Sequence, residues 1–379
     1  MPKTLPAAKP VAENTPVTGK KPILLAAGGT GGHLFPAEAL AEALTARGEQ
    51  VELVTDTRVE SWVERFPGDV NTITAGTVTG TGLGAKIRGA LKLLVGLKQA
   101  YVLLGRVKPK VVVGFGGYPT VPPLLAARLR GIPTLIHEGN AVMGRANRFL
   151  APKVSRIATG FPLRDNLFPD KTEVTGNPVR KPVLVAAKVE YPPLNETSPI
   201  RILVFGGSQG ARVMSDVVPN AIQNLPEALR KRIHITQQAR DEDVFRVTKL
   251  YEKMGVPHVV EHFFSDLPQR IAESHLVIGR AGASTVSELA VIGRPSILVP
   301  LPGALDQDQA ANGEVLAKAG AAIVIAQPAF KPNALADLLI KLAGEPALLS
   351  GMAATAKHLG VSDAASRLAS EVLSISRPA

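Results

Sequence analysis

The 379-residue chain contains no cysteine. That excludes disulfides, a thiol nucleophile and any cysteine-based metal site, and it fits an intracellular compartment. Aromatic residues make up 4% of the chain, with a single tryptophan, and they do not alternate with basic residues. No zinc-ligand spacing is present either, so the formal net charge of +11 does not point to nucleic acid. It suits nucleotides or anionic lipid instead. Nowhere do about 18 uncharged apolar residues run together, which a membrane-spanning helix requires. Residues 1–20 are rich in proline, alanine and lysine without the apolar stretch of a signal peptide, and predict a disordered basic tail.

Glycine and proline are abundant, at 35 and 31 residues, and 45% of the chain is hydrophobic. This length exceeds what one core holds well, so two α/β domains are expected. Two glycine loops stand in matching places. Gly28-Gly29-Thr30-Gly31-Gly32-His33 follows an apolar run at 23–27, and Gly206-Gly207-Ser208-Gln209-Gly210-Ala211 follows another at 202–205. Helical patterns come next, over 36–47 and 212–224. A strand, a tight turn and a helix N-terminus gather backbone N–H groups and the positive end of the helix dipole, which suits a phosphate. The pair predicts two facing Rossmann-like domains with a ligand cleft between them.

Val51–Thr55 reads as a second strand, ending at Asp56. An acid in that place binds a ribose in dinucleotide folds, which keeps a nicotinamide-type oxidoreductase open as a rival. The first loop does not spell G-x-G-x-x-G, however. Residues 111–115 form a buried strand pattern leading to Gly116-Gly117-Tyr118-Pro119-Thr120 and a helix through Leu129. A strand at 134–136 delivers His137-Glu138-Gly139-Asn140. Ligands of open parallel sheets sit outside the carboxyl ends of the strands, so these loops share one rim. A linker is expected from Thr175 to Pro199. Strands are expected at 201–205, 233–236, 258–261, 276–279, 296–299 and 322–325, and a last helix at 363–374 packs back on one lobe. The predicted organisation is a tail at 1–20, a first domain at 21–180 joined by 360–379, and a second domain at 181–359.

The stretch Gly279-Arg280-Ala281-Gly282-Ala283-Ser284-Thr285-Val286-Ser287-Glu288 follows a strand and enters a helix at 285–292. Its small residues let a backbone approach a ligand. Glu288, one turn in, can accept both hydroxyls of a ribose; the plainer alternative is a capping box formed with Ser284 or Thr285. Beyond the next strand, Asp306-Gln307-Asp308-Gln309 and Asn312 offer amides and carboxylates suited to sugar hydroxyls.

In their order and spread these motifs resemble those of the GT-B glycosyltransferases, and within them the bacterial family that adds N-acetylglucosamine to lipid I. The likeness runs from about residue 23 to the end. It implies that Glu288 binds the ribose of UDP-N-acetylglucosamine and the backbone at Phe263-Phe264 the uracil. Ser208 and Arg180 would hold the diphosphate, beside Ala283, Ser284 and Thr285. Asn140, Asp308 and Gln309 would contact the donor sugar, with Thr30, Gly31 and Gly32 facing it from the first lobe. Gly29, Thr30, Gly31 and Tyr118 would receive the lipid I acceptor. Three departures from the family pattern stand out: Gly139 replaces a glutamine, Gln237-Gln238 a histidine–glutamine pair, and Asp308 a glutamine. No D-x-D motif lies near the donor diphosphate, so neither metal nor other cofactor is expected.

The resemblance also implies inversion by direct displacement, with a base removing the acceptor's 4-hydroxyl proton. His33 suits that role near neutral pH; its alternative is a hydrogen bond to the acceptor. Glu138 is the rival base, or a residue that orients loops. A related synthase using diacylglycerol as acceptor is the second reading. An undecaprenyl-linked acceptor implies docking at an anionic membrane surface, on the cytoplasmic face of the bacterial inner membrane, beside cell-wall synthesis proteins. The helical pattern at 85–104 offers the means. Ala90, Leu94, Leu97, Tyr101 and Leu104 form one stripe, suited to the core. Ile87, Leu91, Val95 and Val102 form a second ridge, fringed by Arg88, Lys92 and Lys98, suited to lipid or to a wider core face.

Overall fold

The computed structural model describes residues 21–28, 31–56, 66–74, 83–207, 210–303 and 307–376, and only the backbone of residues 83–88 and 90. The first lobe opens with β1 (Ile23–Ala26), α1 (Gly31–Thr45), β2 (Val51–Thr55), β3 (Asp69–Thr72) and α2 (Leu83–Val107). It continues with β4 (Val111–Gly114), α3 (Val121–Leu129), β5 (Thr134–Glu138), α4 (Arg145–Leu150), β6 (Arg156–Thr159) and β7 (Thr172–Val174). All its strand pairs are parallel, in the order β3-β2-β1-β4-β5-β6-β7.

A short helix, α5 (Lys181–Ala186), precedes the second lobe. That lobe runs β8 (Ile200–Phe205), α6 (Arg212–Gln223), α7 (Glu227–Arg230), β9 (Ile233–Gln238), α8 (Asp241–Met254), β10 (His258–Glu261), α9 (Leu267–Glu273) and β11 (Leu276–Gly279). It ends with α10 (Ala283–Ile292), β12 (Ser296–Leu298), α11 (Asp308–Lys318), β13 (Ala322–Val324), α12 (Pro332–Gly344) and α13 (Pro346–Leu359). Its strands are likewise parallel, in the order β10-β9-β8-β11-β12-β13. Chain order reverses beside β1 and β8, so each sheet has its crevice where a glycine loop stands. The strands β1, β4, β5 and β11 are buried throughout, as sheets covered on both faces demand.

The last helix, α14 (Ala364–Ser374), crosses back to the first lobe. Leu368, Ala369 and Val372 complete the apolar cluster around α1 and β1. Arg47 locks the contact by donating to Ser370 Oγ at 3.0 Å and to the Ser366 carbonyl at 2.8 Å. Gly176, at φ +83°, lets the chain pass beneath it, since a Cβ there would stand 2.7 Å from Val361.

Within the expected linker at 175–199, Val179, Val183 and Ala186 are buried against the second lobe. Two sequence expectations need correction. The α1 helix begins at Gly31 rather than Pro36, which puts His33 in its first turn. The stripe on α2 is rotated. Leu94 and Tyr101 are exposed, at 61% and 42%, whereas Ala100, Leu103 and Leu104 are buried. Gly96 sets that rotation, because a Cβ there would stand 2.3 Å from the Thr74 carbonyl oxygen. Only glycine lets the helix seat so closely.

Candidate functional site

On the first lobe, β1 and β4 end side by side, and their loops bring His33, Gly116 and Gly117 together. His33 Nδ1 lies 3.2 Å from the Gly28 carbonyl, which can only accept. That contact assigns the proton of the neutral ring to Nδ1 and makes Nε2 the basic nitrogen. Burial lowers the His33 pKa below the ordinary histidine value, opposed by the Glu138 charge and the Gly28 hydrogen bond. Gly116 and Gly117 have φ +86° and +75°, and a Cβ on Gly116 would sit 3.3 Å from His33 Nε2. Glycine thus keeps both the turn and the space beside the imidazole. Tyr118 stands half-exposed on the same loop. Gly31 and Gly32 belong to the first turn of α1; Gly29 and Thr30 lie outside the described residues.

Glu138 is the hub of this rim. Oε1 accepts the backbone N–H and the Nδ2 of Asn140, both at 3.0 Å. Oε2 accepts from Gly144 N and Asn147 Nδ2, both at 2.9 Å. Four N–H donors on one buried carboxylate suit a group that orients its loops. His137, which precedes it, is sealed inside: its Nε2 lies 3.3 Å from the Gly176 carbonyl. Burial brings its pKa down to about 4.

On the second lobe, a Cβ at Gly206 would stand 2.2 Å from the Ala211 nitrogen, so the turn into α6 requires glycine there. Gln238 holds this loop, accepting from the Gly206 N–H at 3.0 Å and donating to the His262 carbonyl at 3.2 Å. Gln237 accepts from the buried Tyr251 hydroxyl at 2.6 Å. The two glutamines therefore have scaffold partners of their own. Ser208 lies outside the described residues. Phe264 is buried with its ring beneath Arg270, so only its backbone is available to a ligand.

The α10 helix bears on the capping-box alternative for Glu288. Its N-cap is Gly282, without any side-chain cap bond. Ser284 and Thr285 therefore lie inside the first turn with Ala283, and no capping box forms. Glu288 is 7% exposed. Desolvation raises its pKa, opposed by Arg180, whose Nη2 lies 3.6 Å from Oε1. The Arg180 guanidinium also covers the Phe35 ring of the first lobe at 4.1 Å. Asp308 begins α11 and accepts the Gln309 N–H at 2.9 Å, while Gln309 Oε1 accepts from Leu301 N at 3.0 Å. Arg280 is buried and donates to the Val299 and Pro300 carbonyls and to Gln327.

Asparagines bridge the lobes, and sequence reasoning gave them no such role. Asn177 Nδ2 joins the Gly139 carbonyl to Ser287 Oγ of α10, each at 2.9 Å. Asn312, read from the sequence as a sugar ligand, is fully buried and bonded to Asn140 and Ala141 across the cleft. Asn147 sits in a six-residue helix whose length carries no periodic signal. Its place beside Glu138 was not legible. Ala141 and Phe161 of the first lobe sit in an apolar cluster of the second.

A model of the glycosyltransferase family 28 N-terminal domain matches residues 23–159, and one of its C-terminal domain matches residues 201–368. A UDP-N-acetylglucosamine–N-acetylmuramyl-(pentapeptide) pyrophosphoryl-undecaprenol N-acetylglucosamine transferase of Rhodopseudomonas palustris is 55% identical over 354 residues, covering 92% of this chain and 97% of that protein. One from Allorhizobium ampelinum is 53% identical over 354 residues, covering 93% and 95%. The crystal structure of Acinetobacter baumannii MurG superposes with a TM-score of 0.77 at 30% identity, covering 93% of this chain and 99% of that one.

Proposed function

The chain belongs to glycosyltransferase family 28, and on that premise we propose that it moves N-acetylglucosamine from UDP-N-acetylglucosamine to the lipid-linked N-acetylmuramyl-pentapeptide of lipid I, giving lipid II. The relatives carry that activity in their names at more than half identity over nearly the whole chain. The observation that carries the reading is that Gly28 and Gly206 each follow a central strand, β1 or β8, at the point where chain order reverses in its own parallel sheet. Neither the diacylglycerol synthase nor the oxidoreductase reading gains support from the relatives.

The donor lies on the second lobe. Glu288, buried one turn into α10, accepts the ribose hydroxyls, and the α6 and α10 N-termini with Arg180 hold the diphosphate. The Arg180 Nε is buried without a hydrogen-bond partner among the described residues, a donor suited to a phosphate oxygen. Asp308 and Gln309 meet the sugar from α11. On the first lobe, His33 Nε2 takes the proton of the acceptor's 4-hydroxyl. The oxygen then attacks the anomeric carbon opposite the UDP, the bond to UDP breaks, and configuration inverts. Arg180 and the helix N-termini stabilise the charge on leaving UDP, and no metal is assigned to the step.

Among the described residues no helix is long and apolar enough to cross a membrane. Docking at the cytoplasmic face of the inner membrane is supported by Leu91, Leu94, Val95 and Val102 of α2, exposed at 56%, 61%, 50% and 62%. Lys92 and Lys98 are exposed beside them. Apolar residues fringed by cations suit anionic lipid. Cell-wall synthesis proteins are the partners proposed at that surface.

Calorimetric titration tests the donor assignment: UDP-N-acetylglucosamine should bind at one site and NAD should not. Binding of NAD in its place would overturn the reading.

A further inference from the structure

Two exposed ion pairs cross between the lobes, Arg164 with Glu314 at 3.2 Å and Lys181 with Glu42 at 3.3 Å. Contacts of that kind are worth little in water and do not fix a register. The buried amide of Asn312 is different. It sits on α11 one turn beyond Asp308, on the same helix face. Its Oδ1 accepts the Ala141 N–H at 2.8 Å, and its Nδ2 donates to Asn140 Oδ1 at 2.9 Å and to the Ala281 carbonyl at 3.3 Å. Two partners thus come from the first lobe and one from its own.

The chain of bonds has a direction. Asn140 spends its Nδ2 on Glu138, so its oxygen must face Asn312. Glu138 in turn orients Asn147, and a Cβ on Gly116 would touch both Asn147 Nδ2 and His33 Nε2, at 3.4 and 3.3 Å. The surroundings are dry: Ala141, Ala281 and Ala311 are all buried. Aspartate there could not donate to Asn140 and would set a carboxylate against its oxygen. A broken bond in this place leaves polar groups buried and unpaired, which disfavours any other register of the lobes.

We propose that Asn312 is a positioning residue that latches the lobes together and, through Asn140, Glu138 and Asn147, sets the donor sugar held by α11 against the base of the first lobe. Its catalytic consequence rests on the transferase reading above; the latch itself does not.

The test is a double-mutant cycle on the full chain with Asn312→Ala and Asn140→Ala, read in three ways. Each single variant should lose about a hundredfold in kcat, the effect of a misplacement on the order of 1 Å. UDP affinity should stay within about twofold, and the double variant should be no slower than the slower single one. Because the chain has no cysteine, spin labels on Leu129→Cys and Phe245→Cys, both exposed and on opposite lobes, report lobe separation without any activity. Asn312→Ala should broaden that distance distribution. Multiplying losses in the double variant, or an unchanged distribution with a raised KM for the donor, would overturn the latch. Should Asn312→Ala fail to fold, Asn140→Ala breaks the same bond from the first lobe and takes the same measurements. If the unmodified protein transfers no sugar, the transferase reading fails and the distance measurement alone decides the latch.

Discussion

Arg180 and Glu288 form a pair at the mouth of the cleft, with Nη2 and Oε1 3.6 Å apart and the carboxylate almost wholly buried. The arginine belongs to the segment joining the lobes, and the glutamate is fixed on α10. A ligand that engages both would pull on both parts of the site.

Glu288→Ala is expected to weaken UDP binding about 10- to 100-fold, the worth of a charge-assisted hydrogen bond at about 1.5–3 kcal/mol. The KM for the acceptor should hold. Isothermal titration with UDP gives the answer, and an unchanged Kd would leave Glu288 with a purely structural role.

His33→Ala should lower kcat by about 10²–10⁴-fold with donor affinity intact, since the histidine lies on the other lobe. The pH profile carries a sign. Burial lowers the pKa of His33 below its ordinary value, so the neutral, basic form persists into mildly acidic solution. The acid limb of kcat/KM, which reports the free enzyme, should therefore fall below about pH 6.5. A limb centred above pH 7, or a variant in which only the acceptor KM rises, would assign the proton elsewhere.

His137 should make stability depend on pH. Its buried ring refuses a proton until about pH 4, whereas the unfolded chain takes one up near pH 6.5. Between those values the unfolded state binds more protons, so stability falls as the pH falls. The loss from this residue is roughly 3 kcal/mol from pH 7 to pH 4. His137→Gln should flatten that slope in urea titrations at the two pH values; parallel slopes in both proteins would refute it.

Leu91→Glu with Val102→Glu should abolish binding to vesicles containing anionic lipid while leaving the melting temperature and UDP affinity unchanged. Both side chains are more than half exposed, so the core does not depend on them. Retained vesicle binding would place the docking surface elsewhere. Ile87, part of the ridge read from the sequence, has a side chain outside the described residues.

Several features were legible because their signal is local. The strands β8 to β13 lie within two residues of where apolar runs end at glycine or polar residues. Of the three strands that escaped, β3 and β7 are the sheet edges and carry polar sequences such as Thr172-Glu173-Val174, because edge strands need no apolar run; the inner β6 offers only Ile157 and Ala158 as apolar residues. The hub at Glu138 was less legible, because its donors come from Gly144 and Asn147 beyond a turn that no pattern marks. Asn312 was read as a sugar contact, and its bonds to Ala141 and Asn140 were not legible, since nothing in a single sequence says that its partners stand 171 and 172 residues away.

One assay bears most directly on the central claim. Purified protein is incubated with labelled UDP-N-acetylglucosamine and, in parallel, lipid I or diacylglycerol in anionic vesicles. Label should pass to lipid I alone, with one UDP released per sugar transferred, and His33→Ala should suppress it. Transfer to diacylglycerol, or to neither acceptor while the donor still binds, would contradict the account.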